Sequence, residues 1–440
     1  MKLTTASRTI PFFLILATAA SAANPADAGV ANTSSLPARM PEALRPVVHE
    51  TIARDGGSLA PLGWLEQEVT AAEAAPGSDF GISVALQGST ALIGASYDNS
   101  GQGAAYVFTE VNGVWTEAQK LTADDGAPND WFGESVALDG DAALIGGSQY
   151  LNFGNGVAYV FTRSNGTWSQ AQKVTASDGV GRDQFGISVA LRGSTALIGA
   201  YGVNFYRGAA YVFNETGGIW TEAQKLTASD ASMNADFGVA VALNETTALL
   251  GAYGDNMYQG SVYVFTNAAS TWSQTQKLTA SDGAANDHLG ISVAFDGDTA
   301  FAGAEGATVG DNSHQGAAYV FTATGGTWSQ AQKLVSSDGA AFDYFGRSVA
   351  VEGTNAMIGA YGPNAQQGAA YFFTSSNGSW SQTQELLASD GAQGDMYGIW
   401  VALSGPSVLV GADGVASYQG AAYFYALPAD DTIFANGFDP

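Results

Sequence analysis

Cysteine is absent from the 440 residues, which excludes disulfide staples, thiolate metal sites and cysteine nucleophiles. Histidine is nearly absent: His49, His288 and His314 stand far apart, with no zinc-type spacing. Charge is scarce, at 13% of residues, and one-sided, with 15 Lys+Arg against 41 Asp+Glu and a formal charge of −26. So acidic a chain offers no basic surface to follow a phosphate backbone, which argues against nucleic acid as a partner. Long apolar runs are missing with one exception. Residues 10–20 form a predominantly apolar run that follows Lys2 and Arg8 and leads into Ala20-Ser21-Ala22. That run is too short to span a bilayer and has the layout of an export signal over 1–22. The expectation is a secreted or cell-envelope protein in a bacterial setting, with no membrane span after processing.

Residues 23–62 carry Pro25, Pro37, Pro41, Pro46 and Pro61 among Ala, Ser and Gly, and read as a leader or linker. A short helix over 41–54 is the one element suggested there, interrupted by Pro46.

What the chain has in abundance is repetition. Trp168-Ser169-Gln170-Ala171-Gln172-Lys173-Val174-Thr175 recurs after Trp115, Trp220, Trp272, Trp328 and Trp380, with a shorter version at Trp64. An aromatic-Gly pair (Leu-Gly once) begins at residues 80, 132, 185, 237, 289, 345 and 397. Fourteen residues after each comes the Gly of a Leu-Ile-Gly-Ala-like segment, at 94, 146, 199, 251, 303, 359 and 411. The Gly of Gly-Ala-Ala-Tyr follows at 103, 156, 208, 260, 316, 368 and 420. Units of about fifty residues stacked on copies of themselves make a propeller or a solenoid.

Each unit reads as four short strands. Strand a is Phe-Gly-x-Ser-Val-Ala-Leu, b is Thr-Ala-Leu-Ile-Gly-Ala, c is Gly-Ala-Ala-Tyr-Val-Phe-Thr, and d begins at the Trp. The seventh copy lacks its d strand, and the spare Trp64–Thr70 segment stands at the other end of the chain. The prediction is an all-β, seven-bladed propeller over 63–427, closed by an N-terminal strand that completes the last blade. Trp64, Trp115, Trp168, Trp220, Trp272, Trp328 and Trp380 are its expected core, packed between blades. The acidic tail 428–440 follows the ring.

Phe-Gly, then Gly-Ala, then Gly-Ala-Ala-Tyr, seven times over, resembles the FG-GAP repeat of integrin α-subunit propellers, and more nearly the shorter FG-GAP variety of exported bacterial proteins. The resemblance implies a propeller whose b–c and d–a loops share a ligand-contacting face. It does not carry calcium dependence with it, because the a–b turns here (Leu191-Arg192-Gly193-Ser194, for example) lack the oxygen ligands of a calcium loop.

Only the b–c loops change length, being ten residues in the second copy and thirteen in the fifth against nine elsewhere. Function is most often carried where the backbone is least constrained. Candidate ligand contacts are therefore Tyr97, Asn99, Tyr150, Asn152, Tyr206, Arg207, Asn256, Tyr258, Asn364 and Tyr418. His288 and His314 read as exposed loop residues. The d–a loops repeat a pair of aspartates (125/130, 178/183, 282/287, 338/343, 390/395). These read as turn-closing and strand-capping residues; a weak calcium site in each blade is the competing reading. No other metal or cofactor is expected, and no catalytic residue is singled out. The favoured function is a monomeric, non-catalytic binding or adhesion module that takes a protein or glycan on the b–c/d–a face. A polysaccharide-acting enzyme using the central channel or the long fifth loop is the first alternative, and a structural envelope component the second.

Overall fold

The computed structural model describes residues 64–427 together with the backbone of Val48–Glu50. The expected features at 1–22 and 428–440 lie outside the described residues. Seven antiparallel sheets follow one another, each in the order a-b-c-d. Blade 2 is representative: a is Ser135–Asp139, b Ala142–Gly147, c Val157–Ser164 and d Thr167–Val174. Strands b and c are buried on both faces, as sheets flanked by sheets must be, so they read as unbroken apolar runs. Among the described residues no helix is long and apolar enough to cross a membrane.

Ring closure follows the predicted route. Leu65–Val69 pairs antiparallel with Ala421–Ala426, placing Glu68 opposite Tyr423, and so supplies the d strand of blade 7. The leader departs from expectation. Val48–Glu50, inside the stretch read as a short helix, is a fifth strand paired with Leu65–Gln67. The outer edge of a closing strand offers unpaired backbone groups, and an extended Val-containing segment satisfies them better than a proline-interrupted helix.

Strand a is shorter than its sequence pattern in six blades, beginning three or four residues after the first residue of the aromatic-Gly pair. The Phe-Gly pair instead forms a parallel bridge to the preceding blade's c-strand glycine, as in Gly103 with Phe132. Backbones approach so closely here that a Cβ on Gly146 would sit 2.0 Å from the Gly186 carbonyl oxygen. Phe-Gly is thus an interblade joint.

Each strand-d Trp packs against the previous blade; Trp115 stacks on Phe424 at 4.2 Å and 7°. Six of the seven are buried. A glutamine four residues after the Trp clamps the next blade's Trp backbone with both ends of its amide. Gln172 donates to the Trp220 carbonyl at 2.6 Å and accepts from its N–H at 2.8 Å. Trp64 breaks this pattern. It precedes its strand, is half-buried against Phe372 and Tyr425, and Gln384 donates to the Glu385 carbonyl instead of clamping it.

Candidate binding face

The b–c and d–a loops share one end of the ring, around the mouth of the central channel. Five b–c loops turn through two consecutive left-handed residues, for instance Asn204 (φ 52°) and Phe205 (φ 58°). Asn tolerates this conformation through local hydrogen bonding, which explains its recurrence at the first of the two positions. Asn99 and Asn256 each donate to a glutamine three residues on, at 2.5 Å. Asn152 donates to the Pro128 carbonyl and to Asp130, at 2.9 and 3.0 Å. These candidates build the loops they sit in. Asn364 takes the same left-handed turn, and Tyr418 is 48% exposed at another.

The tyrosine candidates gather in aromatic groups. Tyr97 and Tyr150 flank Trp131, with ring centroids 5.2 and 6.1 Å away. Tyr206 packs on Tyr201, while Tyr258 and Tyr253 both meet His288. Arg207 lies apart from these rings, with Asn204, in a groove between its own loop and the d–a loop that follows.

Three positions per blade line the mouth, and each varies where the scaffold repeats. Before the aromatic-Gly pair stand Asp79, Trp131, Gln184, Asp236, His288, Tyr344 and Met396, all with positive φ. After the pair, five copies have Ile or Val, but blade 2 has Glu134 and blade 6 has Arg347. After the Gly-Ala of strand b come Ser96, Ser148, Tyr201, Tyr253, Glu305, Tyr361 and Asp413.

These positions assemble an asymmetric polar cluster. One Glu305 oxygen lies 3.6 Å from the Arg347 guanidinium and the other 3.9 Å from His288 Nδ1. Burial raises the Glu305 carboxyl, but Arg347 and His288 outweigh it and hold the group below its ordinary value. Asp413, with one oxygen buried and unbonded among the described residues, is pushed up to about 7 by burial, which Arg347 only partly offsets. Glu134 rises to about 7 by burial although it accepts from the Ser148 N–H at 3.0 Å. Asp79 reaches about 7 through burial and the nearby Asp413 charge. His288 and His314, expected to be exposed, are half-buried; His314 stacks on Phe342 at 5.5 Å. The signal that marks this cluster in the sequence is departure from the repeat beside the aromatic-Gly pair, at His288 and Arg347, and after the strand-b Gly-Ala, at Glu305 and Asp413.

Below the mouth the channel narrows. It is lined by Ser, Val, Ile, Ala and Trp400 around a cavity of about 90 Å³.

The paired aspartates have separate partners. The first, as in Asp178, accepts from the Tyr211 hydroxyl at 2.8 Å and from the Lys225 ammonium at 2.6 Å, both of the blade that follows. The second, as in Asp183, accepts the backbone N–H three residues back at 2.8 Å. The first therefore ties its loop to a blade instead of closing an Asx turn, and the second caps its own loop instead of a strand. Among the described residues no group of three or more His, Asp or Glu is placed to hold a metal ion.

Exposed apolar side chains also collect at this end. Of the twelve large hydrophobics exposed among the described residues, nine lie on its loops: Leu151, Phe153, Val180, Phe205, Met233, Met257, Phe342, Leu387 and Tyr418. The other three lie at the c–d end.

The FG-GAP repeat family model matches seven segments: 64–108, 115–161, 168–213, 220–265, 272–321, 328–373 and 380–425. No curated protein matches the chain. Seven matched units, one per blade and together covering most of the sequence, place the chain in the FG-GAP repeat family.

Proposed function

We propose that this FG-GAP propeller is an exported, non-catalytic binding or adhesion module whose b–c/d–a face engages a protein partner. The observation that carries the reading is the gathering of nine exposed apolar side chains on the same end as the variable polar mouth. Exposed apolar side chains concentrated on one end of a molecule, beside polar groups, favour an interaction site there. Val180, Met233 and Met257 favour a protein, since aliphatic chains give a sugar ring no flat surface to stack on. The module acts as a monomer without a metal, and its export rests on residues 1–22.

The test is a surface-protein and glycan binding screen, run on the protein and on a Phe205→Ser, Met257→Ser variant. Both residues are about three-quarters exposed, so the fold tolerates the change. Loss of a protein hit in the variant supports the reading. Hits unaffected by the variant contradict it, and hits confined to glycans redirect it to a sugar.

A catalytic reading has one observation in its favour, the convergence of Glu305, His288, Arg347 and Asp413 in a single asymmetric cluster. A neighbouring carboxyl held low and another near 7 is a pairing suited to acid–base work. Release of reducing ends from a polysaccharide panel, lost in Glu305→Gln, would establish it.

A further inference from the structure

In six blades the residue, or loop, just before the c-strand glycine ties the b–c loop to the next d–a loop. Gln102, Asn155, Gln259, Gln367 and Gln419 donate side-chain amides to the carbonyls of Gly126, Gly179, Gly283, Gly391 and Ala74, at 2.7–3.1 Å. In the longer fifth loop Asn312 donates to Gly339 at 3.1 Å. Blade 3 alone lacks the tie. It has Arg207 there, facing Ala231. Ala74 accepts its tie from Gln419, so an alanine is compatible with it, and the arginine is what leaves the loops apart.

A groove of about 540 Å³ opens where the tie is missing, lined by Asn204, Arg207, Lys225, Thr227, Ser229 and Asp230 among others. That volume lies within the range of ligand sites. Two of its three charges are satisfied internally. The Lys225 ammonium lies 2.6 Å from Asp178, and Asp230 takes Lys277 at 2.6 Å and the Tyr263 hydroxyl at 2.8 Å. The exposed Arg207 guanidinium makes no hydrogen bond or ion pair with any described residue, so the groove has one uncompensated positive charge.

We infer that this groove is a carboxylate subsite that receives an aspartate or glutamate side chain of the partner. The inference rests on the protein-binding reading above. A planar guanidinium matches a carboxylate through two parallel N–H···O bonds. With Lys225 and Asp230 both paired, the single uncompensated charge of Arg207 matches a monoanion better than a dianion such as a phosphate ester. Thr227, Ser229 and Asn204 supply hydroxyls and an amide for the adjoining backbone. Phe205 and Met233, 75% and 59% exposed on the two loops that bound the groove, supply apolar flanks. An acidic residue beside a hydrophobic one is the peptide chemistry this arrangement fits.

The probe is the blocked tripeptide acetyl-Gly-Glu-Gly-amide, titrated into the full chain by ligand-observed NMR beside its Gln counterpart and galacturonic acid. The expected result is weak saturable binding of the Glu peptide, at least about fivefold tighter than the Gln peptide. It should fall about tenfold or more in Arg207→Gln, the loss expected of a charge-assisted pair. Arg207→Gln installs the residue found in other blades and should leave the melting temperature unchanged. Equal binding of the Glu and Gln peptides, binding that survives Arg207→Gln, or no binding at all overturns the subsite. Tighter binding of galacturonic acid than of the Glu peptide overturns the peptide assignment in favour of an acidic sugar. Because the probes are fragments, these outcomes are separable from the partner screen, which can succeed on the face while the groove fails.

Discussion

Five blades and the two that close the ring treat the same strand-d position in opposite ways. Blades 1 to 5 place Lys120, Lys173, Lys225, Lys277 and Lys333 there, each 2.6–2.7 Å from an aspartate and 5.1–5.5 Å from the centre of a tyrosine ring. Blades 6 and 7 place Glu385 and Glu68 there, beside Asp338 and Asp390. Burial, then the neighbouring aspartate, raises both glutamates, Glu68 to about 7. The seam between these blades also lacks the amide clamp on its Trp. In its place Glu66, 2% exposed, accepts from the Tyr425 hydroxyl at 2.8 Å and the Ser389 hydroxyl at 2.6 Å, and Tyr397 donates to Tyr425 at 2.8 Å. A ring joined without covalent closure is thus fastened at this seam by carboxyl and hydroxyl groups and at the other blade junctions by amides and ion pairs.

The largest effect should come from the ordinary blades. Trp220→Ala should cost about 3–5 kcal/mol in urea unfolding, the range for truncating a buried Trp. Trp64→Ala, at the half-buried seam position, should cost less than half as much. Equal costs would erase the distinction between seam and blade.

Glu66→Ala should cost about 2–3 kcal/mol, because it leaves the buried hydroxyl of Tyr425, and that of Ser389, without their acceptor. Gln170→Ala removes the corresponding partner of the Asp124 N–H at an exposed position and should cost under about 1 kcal/mol. Comparable losses would remove any special role for the closing network.

The smallest effect concerns pH, and its sign differs between the two regions. Glu68 binds its proton more tightly folded than unfolded, so its contribution is fully present below the ordinary glutamate pKa of 4.5 and is lost as pH rises through about 7. Asp125 and Asp178 are held low, by Lys173 and Lys225 first of all, so theirs is present above 3.8 and lost as pH falls below it. Stability should therefore peak at mildly acidic pH. Glu68→Lys should raise stability at pH 8 by about 1–2 kcal/mol, a value discounted for partial exposure, and flatten the decline between pH 5.5 and 8. Asp79, Glu134 and Asp413 at the mouth titrate with the same sign, so a residual slope should remain in that variant. An unchanged pH profile would separate Glu68 from the seam's weakness.

The ring itself was legible because its spacing repeats seven times and its missing strand has a visible counterpart at Trp64. Two features of the fold escaped a linear reading. Phe-Gly looks like the start of a strand, yet it is a joint between blades, and only the close approach of Gly146 to Gly186 reveals why glycine recurs. The strand at Val48–Glu50 depends on an edge that exists only after closure. At the proposed binding face, loop length and amide content pointed to residues such as Asn99 and Asn256, which hold their own turns. Glu134 and Arg347 were passed over because each is one exception inside a repeating scaffold, and Asp413 because its position varies from copy to copy. Their meaning appears when seven copies are laid round one axis.

Hydrogen exchange measured with and without a partner from the binding screen reports which end of the propeller is covered. Slowed exchange is expected in 129–134, 149–155, 203–208, 231–236, 255–259 and 342–347, with the a–b and c–d turns at the other end unchanged. Protection confined to turns such as 139–141 and 164–167 would put the ligand on the opposite face and contradict the proposed one.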